Sequence, residues 1–262
     1  MKHYILTRFA AWVCPNTGMT LKKLFSKEYI DSSMNKLTIA LIPTLENQTV
    51  RNFELLILVH DAMPDEIIQK LQTIHTTLKF NVVRVGDTMD YIKNDSKNDN
   101  CVVFSRIDID DFILDNVVEQ IQVTTDTCSS DYVFIGLHDG ATYTPYDNTV
   151  CWMPSYTYNK KGAWSSMITL ACKRKKHIEY LDVCGKTPLS YEHTRMFADI
   201  ANIISSKDTY DIRYIHSTNM PLYLWTFWGD NGTNMIREQN NKNTSWHKTD
   251  NKIHVDFKKF GI

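Results

Sequence analysis

The sequence predicts an α/β fold: a mostly parallel central sheet flanked by helices, with a smaller, irregular antiparallel region toward the C-terminus. Three observations carry that prediction. Strand-like and helix-like segments alternate through the first 136 residues, the pattern of parallel strands joined by crossover helices. The strand segments are continuously apolar, Phe53-Glu-Leu-Leu-Ile-Leu-Val59 above all, which suits strands covered on both faces. One of them, Cys101-Val-Val-Phe104, runs into Asp108, Asp110 and Asp111, and ligands of such sheets bind beyond the carboxyl ends of the strands.

His3-Tyr-Ile-Leu-Thr7 reads as the first strand. The segment around it faintly imitates a signal peptide, but Arg8 interrupts the apolar core and no small-residue cleavage site follows. A loop with Pro15, Asn16 and Gly18 leads to a helix over 20–31, with Leu21, Leu24 and Phe25 on one face. Leu37 to Ile42 continues that helical region toward Pro43. After the strand at 53–59, Pro64-Asp-Glu opens a helix whose Ile67, Ile68, Leu71 and Ile74 recur at helical spacing. Phe80–Val85 is the next strand, and Lys93–Asn100 reads as polar and mostly unstructured. Then come the strand at 101–104, the carboxylates, a helix over 115–123 and a strand at Tyr132–Gly136.

The second half is less regular. Residues 139–164 are rich in Tyr, Trp, Asn and Gly, which suits either the stacking of sugar rings or a twisted antiparallel sheet. Ser190 is placed to cap a helix that begins with Glu192 and His193. Residues 229–253 are polar and read as loop. Without repeats or a convincing linker, the chain reads as one domain, with a first half (1–136) and a second half (137–262).

Composition sets limits. Hydrophobic residues make up 43% of the 262 and charged residues 23%, ordinary for a globular protein. A net charge of −1 gives no electrostatic case for nucleic acid. The basic run Lys173–Lys176 is short and reads as a solvated strand or helix end. No apolar run approaches the roughly 18 residues of a membrane span. The six cysteines are scattered without a Cys-x-x-Cys pair and read as reduced thiols of a cytoplasmic protein.

Clustered carboxylates repel one another unless something neutralises them. A divalent cation such as Mg²⁺ or Mn²⁺ would do so, shared with a substrate's phosphates; a solvated loop or a helix cap would also explain the run. Other chemistries lack their signatures. There is no P-loop, no Gly-x-Gly-x-x-Gly after the first strand and no Gly-x-Ser-x-Gly elbow. Tyr156 and Lys160 imitate a dehydrogenase pair without the accompanying glycines. Asp108-Ile-Asp110 imitates a phosphatase nucleophile loop but lies far from the first strand.

With these residues in hand, the chain resembles GT-A glycosyltransferases. Pro43-Thr-Leu-Glu-Asn-Gln-Thr-Val-Arg-Asn-Phe-Glu54, followed by Leu-Leu-Ile-Leu-Val-His-Asp61, resembles the helix-to-strand signature of the nucleotide-sugar transferase superfamily. Ser105-Arg-Ile-Asp-Ile-Asp-Asp111 resembles its Asp-x-Asp-Asp motif. Thr7-Arg-Phe9 and Arg106-x-Asp108-x-Asp110-Asp111 narrow the resemblance to the rhamnosyltransferase family, and Pro221 to Asn234 supports it. Trp228 stands where that family's last motif has His; if that His is a metal or phosphate ligand, His193 or His216 has to serve or the metal role is weakened, and the sugar, and a catalytically degenerate binding module, stay open questions.

The resemblance implies an inverting transfer from a nucleoside-diphosphate sugar to a glycan hydroxyl, assisted by Mn²⁺ or Mg²⁺. It makes Asp110 the expected metal ligand and puts Asp108 near the ribose or on the metal through water. Asp111 supports the metal site from behind or caps the following helix. Arg8, Arg106 and Asp61 are candidates for donor binding, the arginines alternatively as partners of the acids. Glu192, beside His193, is the first candidate base and Asp139 the second, though a first-turn Glu is also favoured by the helix dipole alone.

Overall fold

The computed structural model describes residues 1–12, 19–145, 148–152, 167–184, 207–217, 219–226 and 252–262. Four parallel strands build the first half of the main sheet: β1 (Lys2–Arg8), β2 (Glu54–Val59), β3 (Phe80–Arg84) and β4 (Cys101–Ile107). A two-residue strand, β5 (Phe112–Ile113), follows the carboxylates, and β6 (Tyr132–Leu137) returns to the main sheet. Then come β7 (Gly140–Thr144), β8 (Thr149–Trp152), β9 (Met167–Lys173), β10 (Tyr210–Ile215) and β11 (Tyr223–Thr226). The seven-stranded sheet runs β10-β6-β9-β4-β1-β2-β3. Every neighbouring pair is parallel except those of β9, which is antiparallel to both β4 and β6.

The helical layers explain the continuous apolar strands. On one face Ile5, Leu55, Ile57, Val103 and Ile135 pack in one cluster with Ile30, Leu41, Ile67 and Ile121. These come from α2 (Lys27–Lys36), the π-helical turn Leu37–Leu41, α4 (Asp65–Gln72) and α6 (Val117–Thr127). On the other face Tyr4, Leu6, Leu56, Phe104 and Phe134 meet Ile92 and Leu181, from α5 (Thr88–Ser96) and α7 (Lys176–Cys184). With both faces buried, a strand has no polar side to show.

The first helical region is interrupted by design of its caps. Thr20 and Ser26 accept hydrogen bonds from the Lys23 and Tyr29 amides, starting α1 (Leu21–Leu24) and α2 separately. The π turn then leads into α3 (Ile42–Glu46). Pro43 has no amide hydrogen to bond back into the preceding turn, which is where the helix widens.

The stretch expected to be unstructured is partly α5. Its buried positions are Thr88, Ile92 and Ser96, so two of three are hydroxyl residues and the usual apolar stripe is missing. Ser96 Oγ donates to the Ile92 carbonyl at 2.6 Å. The second sheet, β5-β11-β7-β8, is mixed rather than purely antiparallel. β11 pairs parallel with β7 and antiparallel with β5, while β7 and β8 are antiparallel. The chain crosses the main sheet as β9 and β10 before returning as β11, and this long connection permits the parallel pairing.

Glu54 opens β2 at the edge opposite the carboxylates and is only 1% exposed. Its carboxylate accepts from Lys2 Nζ at 3.0 Å, Asn81 Nδ2 at 2.7 Å, Lys79 and the Tyr91 hydroxyl. Burial pushes the carboxyl up, but the hydrogen bonds from Lys79, Tyr91, Lys2 and Asn81 outweigh it and hold the group at about 2. Because that lies below the ordinary 4.5, the carboxylate's contribution is complete above pH 4.5 and is lost as pH falls toward 2. Glu54→Gln is expected to lower the unfolding free energy by about 3 kcal/mol at neutral pH. Urea titrations should show the gap closing between pH 4.5 and the acid limit; a gap constant across that window would count against an ionised Glu54.

Candidate active site

The parallel strands deliver their following residues to one edge. Arg8 ends β1, His60 and Asp61 follow β2, Asp108 follows β4, His138 and Asp139 follow β6, and His216 follows β10. The register keeps these ends level, with Leu6 opposite Arg106, Arg8 opposite Leu58 and Ile215 opposite Leu137.

The carboxylate run is a turn, closed by the Asp111 amide donating to the Asp108 carbonyl at 3.3 Å. Asp108 Oδ1 accepts from Arg8 Nη2 at 2.9 Å and from Arg106 Nη2 at 3.4 Å. Arg106 is 2% exposed, and burial brings its guanidinium down to about 10 against the opposing pull of Asp108. It therefore remains a cation at neutral pH, held inside the protein beside a carboxylate. Arg8 also lies over the Trp12 ring, 6.0 Å from its centroid. The chain leaves β1 through Ala10 at φ 47°, a conformation costly for a residue with a Cβ. Asp110 is half-buried in the turn. Asp111 is buried, and its Oδ1 accepts the Thr226 amide at 3.2 Å, tying the turn to β11.

Behind the turn sits the Pro43–Thr49 segment, whose structural task the sequence alone does not show. Thr44 Oγ1 donates to the Ile113 carbonyl at 2.8 Å and accepts the Ile113 amide at 3.0 Å. Gln48, 3% exposed, donates to the Thr44 and Leu114 carbonyls and accepts the Val118 amide, all at 3.0 Å. The Thr49 amide donates to the Asp115 carbonyl at 2.7 Å, and its hydroxyl to Glu119 at 2.8 Å. The segment thus holds the backbone from the end of the carboxylate turn into the first turn of α6.

Asp61 is exposed; its Oδ1 accepts the Gly86 amide at 2.7 Å and its carbonyl accepts from Arg84. Asp139 joins a group that the sequence analysis did not assemble. Its Oδ1 is 3.0 Å from His138 Nδ1, and its Oδ2 is 3.4 Å from His216 Nδ1 and accepts the Ser217 amide at 2.8 Å. The available signal was a His-Asp pair after one strand and a His after another, which only strand order makes neighbours. Gly140 follows because a Cβ there would stand 2.1 Å from the Tyr223 ring. Glu192, His193, Ser190 and Trp228 lie outside the described residues.

The sheet and the site at its carboxyl edge define an α/β protein built on a seven-stranded, mostly parallel sheet. The chain matches the family described as "Putative rhamnosyl transferase" over residues 15–248, and it belongs to that family. Among curated proteins, none matches it in sequence. Solved structures similar to it include S. aureus TarS 1–349 in complex with UDP, at 14% identity and a TM-score of 0.44, covering 87% of this chain and 61% of that one. The same TarS segment in complex with UDP-GlcNAc gives 15%, 0.42, 87% and 59%. A further TarS 1–349 structure gives 14%, 0.42, 86% and 60%. The chain thus spans less than two thirds of the TarS chains it matches. Among the described residues, no helix is long and apolar enough to cross a membrane.

Gln48→Ala leaves the Val118 amide and the Leu114 carbonyl without their buried partner. It is expected to cost about 3 kcal/mol in urea unfolding, well beyond the change for an exposed glutamine such as Gln72.

Proposed function

We propose that this chain is a nucleotide-sugar-dependent glycosyltransferase that moves a sugar, rhamnose by the family's description, from a nucleoside diphosphate to a hydroxyl of a glycan acceptor. The observation that carries this reading is the family match, which spans both the carboxylate turn and the segment that braces it. In this reading the first half of the chain binds the donor and the second half the acceptor.

The donor set fits a hard divalent cation, since carboxylate oxygens at a half-buried turn are the ligands such ions take. Asp110 would hold it. Asp108 has two guanidinium groups on one oxygen, so its share is the smaller, through water or toward the ribose. When bound, Mn²⁺ or Mg²⁺ supplies Lewis-acid stabilisation of charge growing on the leaving diphosphate. Arg8 and Arg106 place fixed positive charge beside that same group, and Asp61 extends the donor surface past β2.

The reaction is displacement at the anomeric carbon. The acceptor oxygen forms its bond to that carbon from the face opposite the diphosphate, so configuration inverts. The bond to the diphosphate oxygen breaks and its electron pair leaves with the phosphate. The hydroxyl proton passes to a carboxylate, Glu192 first and Asp139 second, and His193 stands next to that base in sequence. A positioned base of this kind is worth roughly 10²–10⁴ in rate.

Asp110→Ala is expected to abolish Mn²⁺-dependent donor hydrolysis and transfer with the melting temperature unchanged; full activity would sink the assignment. Glu192→Gln should lower turnover by about 10²-fold or more while the donor's dissociation constant, read by calorimetry, stays put. If the unmodified protein binds nucleoside diphosphates yet turns over no donor on any acceptor, the chain is a degenerate binding module instead.

A further inference from the structure

We propose that His138, Asp139 and His216 form a second metal site, for a borderline ion with nitrogen and oxygen ligands such as Zn²⁺. It differs in chemistry from the hard-cation site on Asp110 and does not depend on it. Among the described residues, these three are the cluster of metal-ligating side chains whose ligand atoms all lie within 4.8 Å of one another. Ligands bound at about 2.0–2.1 Å around a tetrahedral ion stand about 3.4 Å apart. His138 Nδ1 and Asp139 Oδ1 are 3.0 Å apart, and Asp139 Oδ2 and His216 Nδ1 are 3.4 Å apart. Two imidazoles and one carboxylate are a donor set that favours zinc-class ions over magnesium.

The ligands are supported by the fold. The Ser217 amide donates to Asp139 Oδ2 at 2.8 Å, the kind of outer hydrogen bond that orients a ligating carboxylate. The His138 amide donates to the Ile215 carbonyl at 3.0 Å and the Leu222 amide to the Asp139 carbonyl at 2.7 Å, which pins both backbones. The imidazole rings of His138 and His216 stand with centroids 4.3 Å apart. His216 is 60% exposed, which leaves one side open for water or a substrate oxygen as fourth ligand. An Asp139 committed to an ion is not a base, so this assignment leaves Glu192 as the base.

The test uses Co²⁺ as a spectroscopic stand-in on the full chain. Titration should develop the visible absorption of a low-coordinate Co²⁺ with one equivalent bound, and Zn²⁺ should abolish it. His138→Ala and His216→Ala should each weaken binding by about 10-fold or more, with circular dichroism unchanged. Absence of the band, or parental affinity in either histidine variant, would overturn the proposal.

Discussion

How the turn from Asp108 to Asp111 is held governs the charge pattern beyond β4 and its link to β11. Three carboxylates within four residues repel one another. The protein separates their fates. Asp108 is matched to two guanidinium groups, Asp111 is turned inward onto the Thr226 amide, and Asp110 stays half-buried between them. Arg106 can remain charged inside the protein because Asp108 is there, and Arg8 sets a second cation on the same carboxylate oxygen. Backbone bonds from Thr44 and Gln48 then fix where this charge pattern sits relative to α6.

β2 shows the two edges of the sheet put to different uses. At its start, Glu54 gathers Lys2, Lys79, Asn81 and Tyr91 and locks β1, β2 and β3 to α5. At its end, His60 and Asp61 arrive where ligands of parallel sheets bind. The C-terminal segment adds a brace to the same scaffold. Asn47 Nδ2 donates to the Lys258 carbonyl at 3.0 Å, and Gly261 takes φ 78° against Pro43. A Cβ at Gly261 would meet the Pro43 carbonyl oxygen at 2.5 Å, on a backbone conformation only glycine adopts without strain.

Legibility followed the burial pattern. Strands buried on both faces announced themselves as apolar runs, and the helix after Pro64 by its spacing. α5 was hidden because hydroxyl residues fill its inner face. The pairing of β11 with β7 was hidden because it joins segments separated by about eighty residues, with β9 and β10 between them. The Gln48–Thr49 pair was visible as a signature, but its physical task was not, since its partners, the backbone of Leu114, Asp115 and Val118 and the Glu119 carboxylate, are groups that only folding brings near.

The sequence by itself determined the α/β class, the place of the carboxylates after a buried strand, and the family pattern, because each is written in local periodicity or in a contiguous motif. Tertiary structure decided which charges meet. Arg8 reaches Asp108 across a hundred residues, and His138, Asp139 and His216 converge, because parallel pairing brings the ends of distant strands to one edge. That convergence depends on strand order, and strand order is set by packing the whole sheet rather than by any local stretch of chain.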